Sequence, residues 1–294
     1  MDTDRQLHER DAEGWRRGLY EDVKHTFRAP IVNWIFRTTM ANEPEFLRYA
    51  WGQVTPLFET RAFARLSVQY RDAVLTTLEA DGRLPAYQPS EVDLDPATYR
   101  ECRGQLATYD VVAPRLAVLF ETMDRALHGE PVGQDPATDR GATAPFPEWL
   151  DRERGRSPTL LDRAAVPAAL DETVAAIQAF HGFDEALPSI YRTMAQWPSF
   201  LDRLWADLDP RLASEAFETA CVRSDALVTE FVDGAPYRPR LTPADLERVE
   251  FDEATIAALQ GLFREFKTGP VATVIPALPA YAATVDATGE RDVF

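Results

Sequence analysis

Four histidines, His8, His25, His128 and His181, are the first residues to weigh as chemistry. None lies three or four positions from another, so one helix face cannot present two of them to a metal. No metal site is expected. His181 could act as a general base, but it is followed by Gly182, and a lone His before Gly reads equally as the end of a helix. The chain has no Gly-rich phosphate loop, no nucleophile elbow and no paired cysteines. Neither a nucleotide nor another cofactor is expected. Two prolines have more physical content. Pro114 inside a helix leaves the carbonyl of Asp110, four residues earlier, without its usual donor. Pro270 does the same to the carbonyl of Phe266. Such kinks either shape the core or expose polar backbone to a cavity.

The elements that must position these groups are repeated. Residues 39–74 recur at 193–228 with a constant offset of 154, and 12 of the 36 pairs are identical. Among them are Met40/Met194, Pro44/Pro198, Phe46/Phe200, Trp51/Trp205 and Phe63/Phe217. A second block, Leu106/Leu262, Pro114/Pro270 and Val118/Val274, follows at an offset of 156. Two copies of this length are too long and too few for a solenoid, whose periods are about 20–50 residues. They predict two similar halves about a pseudo-twofold, packed like a homodimer, with the ligand pocket between them. Pro114 and Pro270 would then face each other across that pocket.

The periodicity is helical nearly throughout. Phe63, Leu66, Tyr70 and Val74 fall on one face, with Gly82 as a plausible stop. Pro44 and Pro198 suit first helical turns, with Asn42 as a cap before the first. The segment from Val271 to Val285 reads as a kinked buried helix, too short to span a membrane. The expected fold is all-α, with helical repeats over 13–128 and 166–288, five or six helices in each. The Gly, Pro, Asp and Arg-rich linker between them, 129–165, is pinned by Trp149 and Leu150.

Composition limits the partners. The net charge is −17 and the pI about 4.7, which argues against nucleic acid and anionic membranes. Lys24 and Lys267 are the only lysines among 31 cations. An acidic, Arg-for-Lys surface fits the cytosol of a salt-loving cell, where screening weakens the repulsion between carboxylates. A GC-rich genome would produce the same Arg excess. The N-terminus has no apolar signal region. Cys102 and Cys221 read as reduced packing residues.

Certain segments carry a resemblance. They are Tyr20-Glu-Asp-Val-Lys, Arg28-Ala-Pro-Ile-Val, Phe46-Leu-Arg-Tyr-Ala-Trp51, Ala113-Pro114, His181-Gly182 and Ala195-Gln-Trp-Pro198. In this order and spacing the chain resembles the DehI-type (group I) 2-haloacid dehalogenases. The resemblance implies an all-α pseudo-dimer with its active site between the repeats. It also implies direct hydrolysis, in which an aspartate activates water to displace halide at C2 of a small carboxylic acid. Either enantiomer can be taken. An asparagine before the kink proline helps hold the water, and aromatic residues line the pocket.

The sequence departs from that pattern where it matters. The aspartate position falls on Ile190, beside Ser189, and the asparagine position on Ala113. Ile31 replaces a pocket tryptophan, while Trp34 keeps an aromatic at the next position. Ile31, Trp34, Ala113, Ser189 and Ile190 are therefore the expected substrate-binding set. A relocated base must be Asp184, Glu185 or Asp110. Asp184 ranks first, because the strip from Gly182 to Pro198 runs longer than in the family. Asp184 and Glu185 also read as an acidic pair at a helix N-terminus, and Asp110 as a carboxylate satisfied at the kink. A 2-haloacid dehalogenase-type hydrolase stands beside a non-catalytic relative that binds a small carboxylic acid or an apolar ligand. Association of two copies is left open.

Overall fold

The structure is a computed structural model; it describes residues 1–80, 82–134 and 143–293. Residues 135–142, inside the expected linker, lie outside it. Twelve α-helices run in order, with no strand among the described residues. They are α1 (Gly14–Phe27), α2 (Trp34–Asn42), α3 (Pro44–Phe58), α4 (Arg61–Leu78), α5 (Pro96–Leu127) and α6 (Asp171–His181). Then come α7 (Ser189–Met194), α8 (Pro198–Leu212), α9 (Glu215–Gly234), α10 (Pro243–Arg248), α11 (Glu253–Thr268) and α12 (Val271–Ala283). Among the described residues no helix is long and apolar enough to cross a membrane.

Local chemistry sets the bounds. Pro44 and Pro198 open α3 and α8 at first-turn positions, where a missing N–H costs nothing. Thr60 caps α4 by accepting from the Phe63 N–H, and Ser214 caps α9 through Phe217. Asn42 does not cap α3. It closes α2 instead, its amide donating to the carbonyl oxygens of Thr38 and Asp2. Helix α4 stops at Leu78, before Gly82.

The two prolines act differently. Helix α5 runs unbroken through Pro114 for 32 residues. The second copy breaks: α11 ends at Thr268 and α12 begins at Val271. Between them Gly269 passes so close to the Glu265 carbonyl that a Cβ would lie 2.5 Å from its oxygen. Gly269 therefore ends the helix where Pro270 alone would have kinked it. The apolar segment after it is a buried helix containing Pro276 and Pro279.

Helix α5 is the axis of the body. It packs along α11 and α12, while α4 packs against α9. Around it the core is continuous, with Phe27, Phe36, Trp51 and Phe58 meeting mostly edge to face. The segment after residue 142 is held down by Phe146 and Leu150, both buried, whereas Trp149 is 57% exposed. Arg28, in the left-handed region at φ 52°, donates to the carbonyls of Pro147, Glu148 and Leu150.

Candidate functional site

A cavity of about 70 Å³ lies where α2, α5, α7, α11 and α12 converge. Its wall includes Trp34, Ile35, Val112, Leu116, Ile190 and Val274. Tyr109, Asn33, Ser189 and the Trp34 indole bring its polar side-chain atoms, and among the described residues no charged side chain lines it. Tyr109 and the Trp34 indole are already engaged. Tyr109 Oη meets Thr193 Oγ1 at 2.7 Å, and Trp34 Nε1 donates to the Thr3 carbonyl at 3.2 Å. Val112 and Leu116 flank Pro114, while Val271 and Val274 follow Pro270, so both proline segments contribute to this wall. Phe120, Phe266 and Ile275 also line a second, outer cavity of about 320 Å³ that includes Lys267, Asp225 and Thr273.

Of the expected site residues, Trp34, Ser189 and Ile190 are brought together here. Ile31 and Ala113 are buried in the core, away from the wall. Asp184 and Glu185 are exposed, in the loop between α6 and α7 rather than in a helix N-terminus.

Asp110 points elsewhere. It is fully buried on the far face of α5, in an ionic network. Arg71 Nε donates to both its oxygens at 3.0 and 2.9 Å, Arg154 Nη2 to Oδ2 at 2.8 Å, and the Gly289 N–H to Oδ2 at 3.0 Å. Asp151, equally buried, takes Arg154 at 2.7 Å, Arg115 at 3.1 Å and Arg71 at 3.4 Å. Burial pushes the Asp151 carboxyl up. The guanidinium groups of Arg71, Arg115 and Arg154 outweigh that and hold it well below the usual carboxylate range. Burial pulls Arg115 down to about 10, so it stays charged at neutral pH. The Arg115 guanidinium also sits over the rings of Phe63 and Phe146, at 5.4 and 5.7 Å. Three arginines and two aspartates thus tie α4, α5, residues 151–154 and the segment 287–290 together.

His181 closes α6, with Gly182 in the left-handed region after it at φ 78°. Its ring is buried. Nδ1 lies 2.7 Å from Thr273 Oγ1 and Nε2 lies 2.5 Å from Tyr191 Oη, which meets Tyr281 Oη at 2.5 Å. Thr273 Oγ1 also donates to the Pro270 carbonyl at 3.1 Å, so the chain of donors runs from Tyr281 through Tyr191 and His181 to that carbonyl. Burial pulls the imidazole down to about 4, which keeps it neutral. The ring fastens α6 and α7 to α12 and does not line the cavity.

Asn33 escaped the reading of the sequence. It sits at the N-cap of α2 but makes no capping bond, and its buried Oδ1 has no partner. An unsatisfied buried acceptor costs about 1–3 kcal/mol. The signal was an N-cap residue type directly before the pocket aromatic Trp34. Among the described residues no group of three His, Cys, Asp or Glu side chains could hold a metal ion.

An all-helical body around such a cavity defines a class. The structure of a D-2-haloacid dehalogenase mutant with D-2-CPA superposes with a TM-score of 0.83, at 20% identity over 95% of both chains. That of a D-2-haloacid dehalogenase with L-LA gives 0.82, at the same identity and coverage. The fold is theirs. In sequence the chain is similar to the DehI family, described as "Halocarboxylic acid dehydrogenase DehI", whose model matches residues 30–163. The (R)-2-haloacid dehalogenase of Pseudomonas putida is 23% identical over 243 residues, 80% of this chain and 78% of that one. The (R)-2-haloacid dehalogenase of Rhizobium sp. (strain NHG3) is 37% identical over 71 residues, covering 23% and 27%.

Proposed function

We propose that this chain is a dehalogenase-type protein whose central cavity holds a small carboxylic acid. Similarity to the (R)-2-haloacid dehalogenases supports a hydrolase of that type. The observation that carries our reading is the make-up of the wall: apolar, with the first turns of α2 and α12 in it and no charged side chain among the described residues. First-turn N–H groups lack helical acceptors and carry partial positive charge, which suits a carboxylate. The apolar side chains suit a short alkyl tail. A water in this cavity would have no carboxylate base within about 3 Å, as general-base catalysis requires. The geometry therefore favours the relative that binds without turnover. The second reading, hydrolysis with Asp184 as the relocated base and Glu185 or Asp110 as substitutes, is favoured by the kinship. It needs the loop between α6 and α7 to carry Asp184 inward.

One experiment separates the two. Chloride or bromide release is measured from both enantiomers of a 2-halopropionate in molar salt, with propionate binding followed by calorimetry. The expected result is binding without release. Release that falls by a factor on the order of 100 in Asp184→Asn would replace the binding reading by hydrolysis. Release that survives this change but falls in Asp110→Asn would put the base on α5.

We also infer two pseudo-symmetric halves, 13–128 and 166–288, joined by 129–165. The bounds of α3 and α8, 44–58 and 198–212, support this, as do the starts of α4 and α9 at 61 and 215. Helix α5 ends at 127 and α12 at 283, the 156 of the second repeat block. A salt-loving cytosol is the setting that the charge supports, and association of two copies stays open. Melting temperature should fall as KCl drops from molar to millimolar, because 48 acidic side chains face 31 cations. A melting temperature unchanged across that range would remove the salt-loving setting.

A further inference from the structure

Asn33 is the group in the cavity that the reading above leaves unexplained. Asparagine at an N-cap ordinarily turns its side-chain oxygen onto the second or third N–H of the helix. Asn33 does not, although its residue type and position both favour it. Its side chain is more than nine-tenths buried, lines the cavity, and leaves Oδ1 without a partner. Trp34 spends its indole donor on the Thr3 carbonyl, and the Tyr109 hydroxyl is paired with that of Thr193 rather than with Asn33. A buried acceptor kept apart from its natural partner and facing a cavity is built for a donor that arrives with a ligand.

We propose that the acid held here is a short 2-hydroxyalkanoate, and that Asn33 reads its hydroxyl. The inference rests on the small-acid reading of the cavity and deepens it. The carboxylate lies against the first turns of α2 and α12, where Trp34 and Ile35 bring N–H groups that no helical carbonyl reaches. The hydroxyl at C2 donates to Asn33 Oδ1. The alkyl end rests on Ile190, Val274 and Ile275. Ser189, half-buried on α7, lines the same wall with a hydroxyl that can donate or accept. A halogen or a hydrogen at C2 has no hydrogen-bond donor to offer, so a haloacid or an unsubstituted acid leaves Asn33 orphaned. If the Asn33 amide is turned over, the orphan becomes an N–H, and a hydroxyl, which also accepts, still satisfies it. The size agrees: a 150 Å³ apolar cavity admits benzene, and this one is about 70 Å³.

The test is calorimetry in molar KCl with both lactate enantiomers, propionate and 2-chloropropionate. One lactate enantiomer should bind about tenfold or more tightly than propionate and 2-chloropropionate, the scale set by satisfying one buried acceptor. In Asn33→Leu, which keeps the volume and removes the amide, lactate should fall to the propionate level while propionate changes by about twofold or less. Equal binding of lactate and propionate overturns the inference, and so does a lactate preference that survives Asn33→Leu. If that variant does not fold, the ratio in the unmodified protein and in Asn33→Ser decides the matter. If propionate binds as tightly as lactate, the hydroxyl reading alone fails. If no acid binds, the small-acid reading fails as well.

Discussion

Asp151→Asn should destabilise the protein by about 3–5 kcal/mol, the usual loss when one partner of a buried ion pair is removed. The carboxylate has no exposed side chain and takes hydrogen bonds from Arg71, Arg115 and Arg154. Without it Arg71 and Arg154 keep only Asp110, and the fully buried Arg115 is left with no carboxylate. At about 2–4 °C per kcal/mol for a chain of this size or a little smaller, melting should fall by on the order of 10 °C. Asp162→Asn is the control: its side chain is 96% exposed beside Arg192, and such surface changes stay within about 0.5 kcal/mol. A loss below about 1 kcal/mol for Asp151→Asn would show that the network is not held as described. The pH sign follows from a carboxyl held down in the folded state. Its contribution is full above the unfolded value of about 3.9 and drains away as pH falls below it.

A second loss of stability should begin at higher pH. His181 titrates near 6.5 when unfolded and at about 4 in the folded protein, because burial disfavours the imidazolium. Between those values the unfolded chain binds the extra proton, so stability rises with pH there. The contribution is complete above about 6.5 and is lost as pH falls to about 4, roughly 3 kcal/mol in all. His181→Gln removes the titration and keeps a polar side chain beside Thr273 and Tyr191. It should be less stable than the unmodified protein at pH 7, with the gap narrowing as pH approaches 4. Urea unfolding at half-unit pH steps measures this. Parallel curves for the two proteins from pH 7 to 4 would exclude His181 as the source.

Much of the fold could be read from the chain because its signals are local. Pro44 and Pro198 mark helix starts by what proline lacks, and Phe63 to Val74 mark a buried face by spacing alone. The resemblance led to Trp34, Ser189 and Ile190, which do meet at the cavity. What the sequence hid depends on distant partners. Asp110 looked available one turn from Ala113, yet Arg71, Arg154 and Gly289 lie 39, 44 and 179 residues away and no periodicity announces them. Of the two expected anchors Leu150 is buried and Trp149 largely exposed, while Phe146, which no spacing singles out, reaches the core beside Phe63 and under the Arg28 and Arg115 guanidiniums. Asn33 was invisible for the opposite reason: its significance is a bond that it does not make.

The ionic network also dictates an order of events in folding. Arg71, Asp110 and Arg115 are made early, on α4 and α5, and Gly289 and Glu290 come much later. A chain that has folded its first five helices still lacks the backbone N–H that Asp110 takes from Gly289 and the carbonyl that Arg71 reaches at Glu290. Contacts so far apart in sequence form slowly, since the loop between them must close first. Compaction of the early helices therefore leaves Arg71 and Asp110 short of these backbone partners inside a nascent core. Completion waits on residues 287–290, and a chain stalled before them is the species most exposed to aggregation and to chaperones.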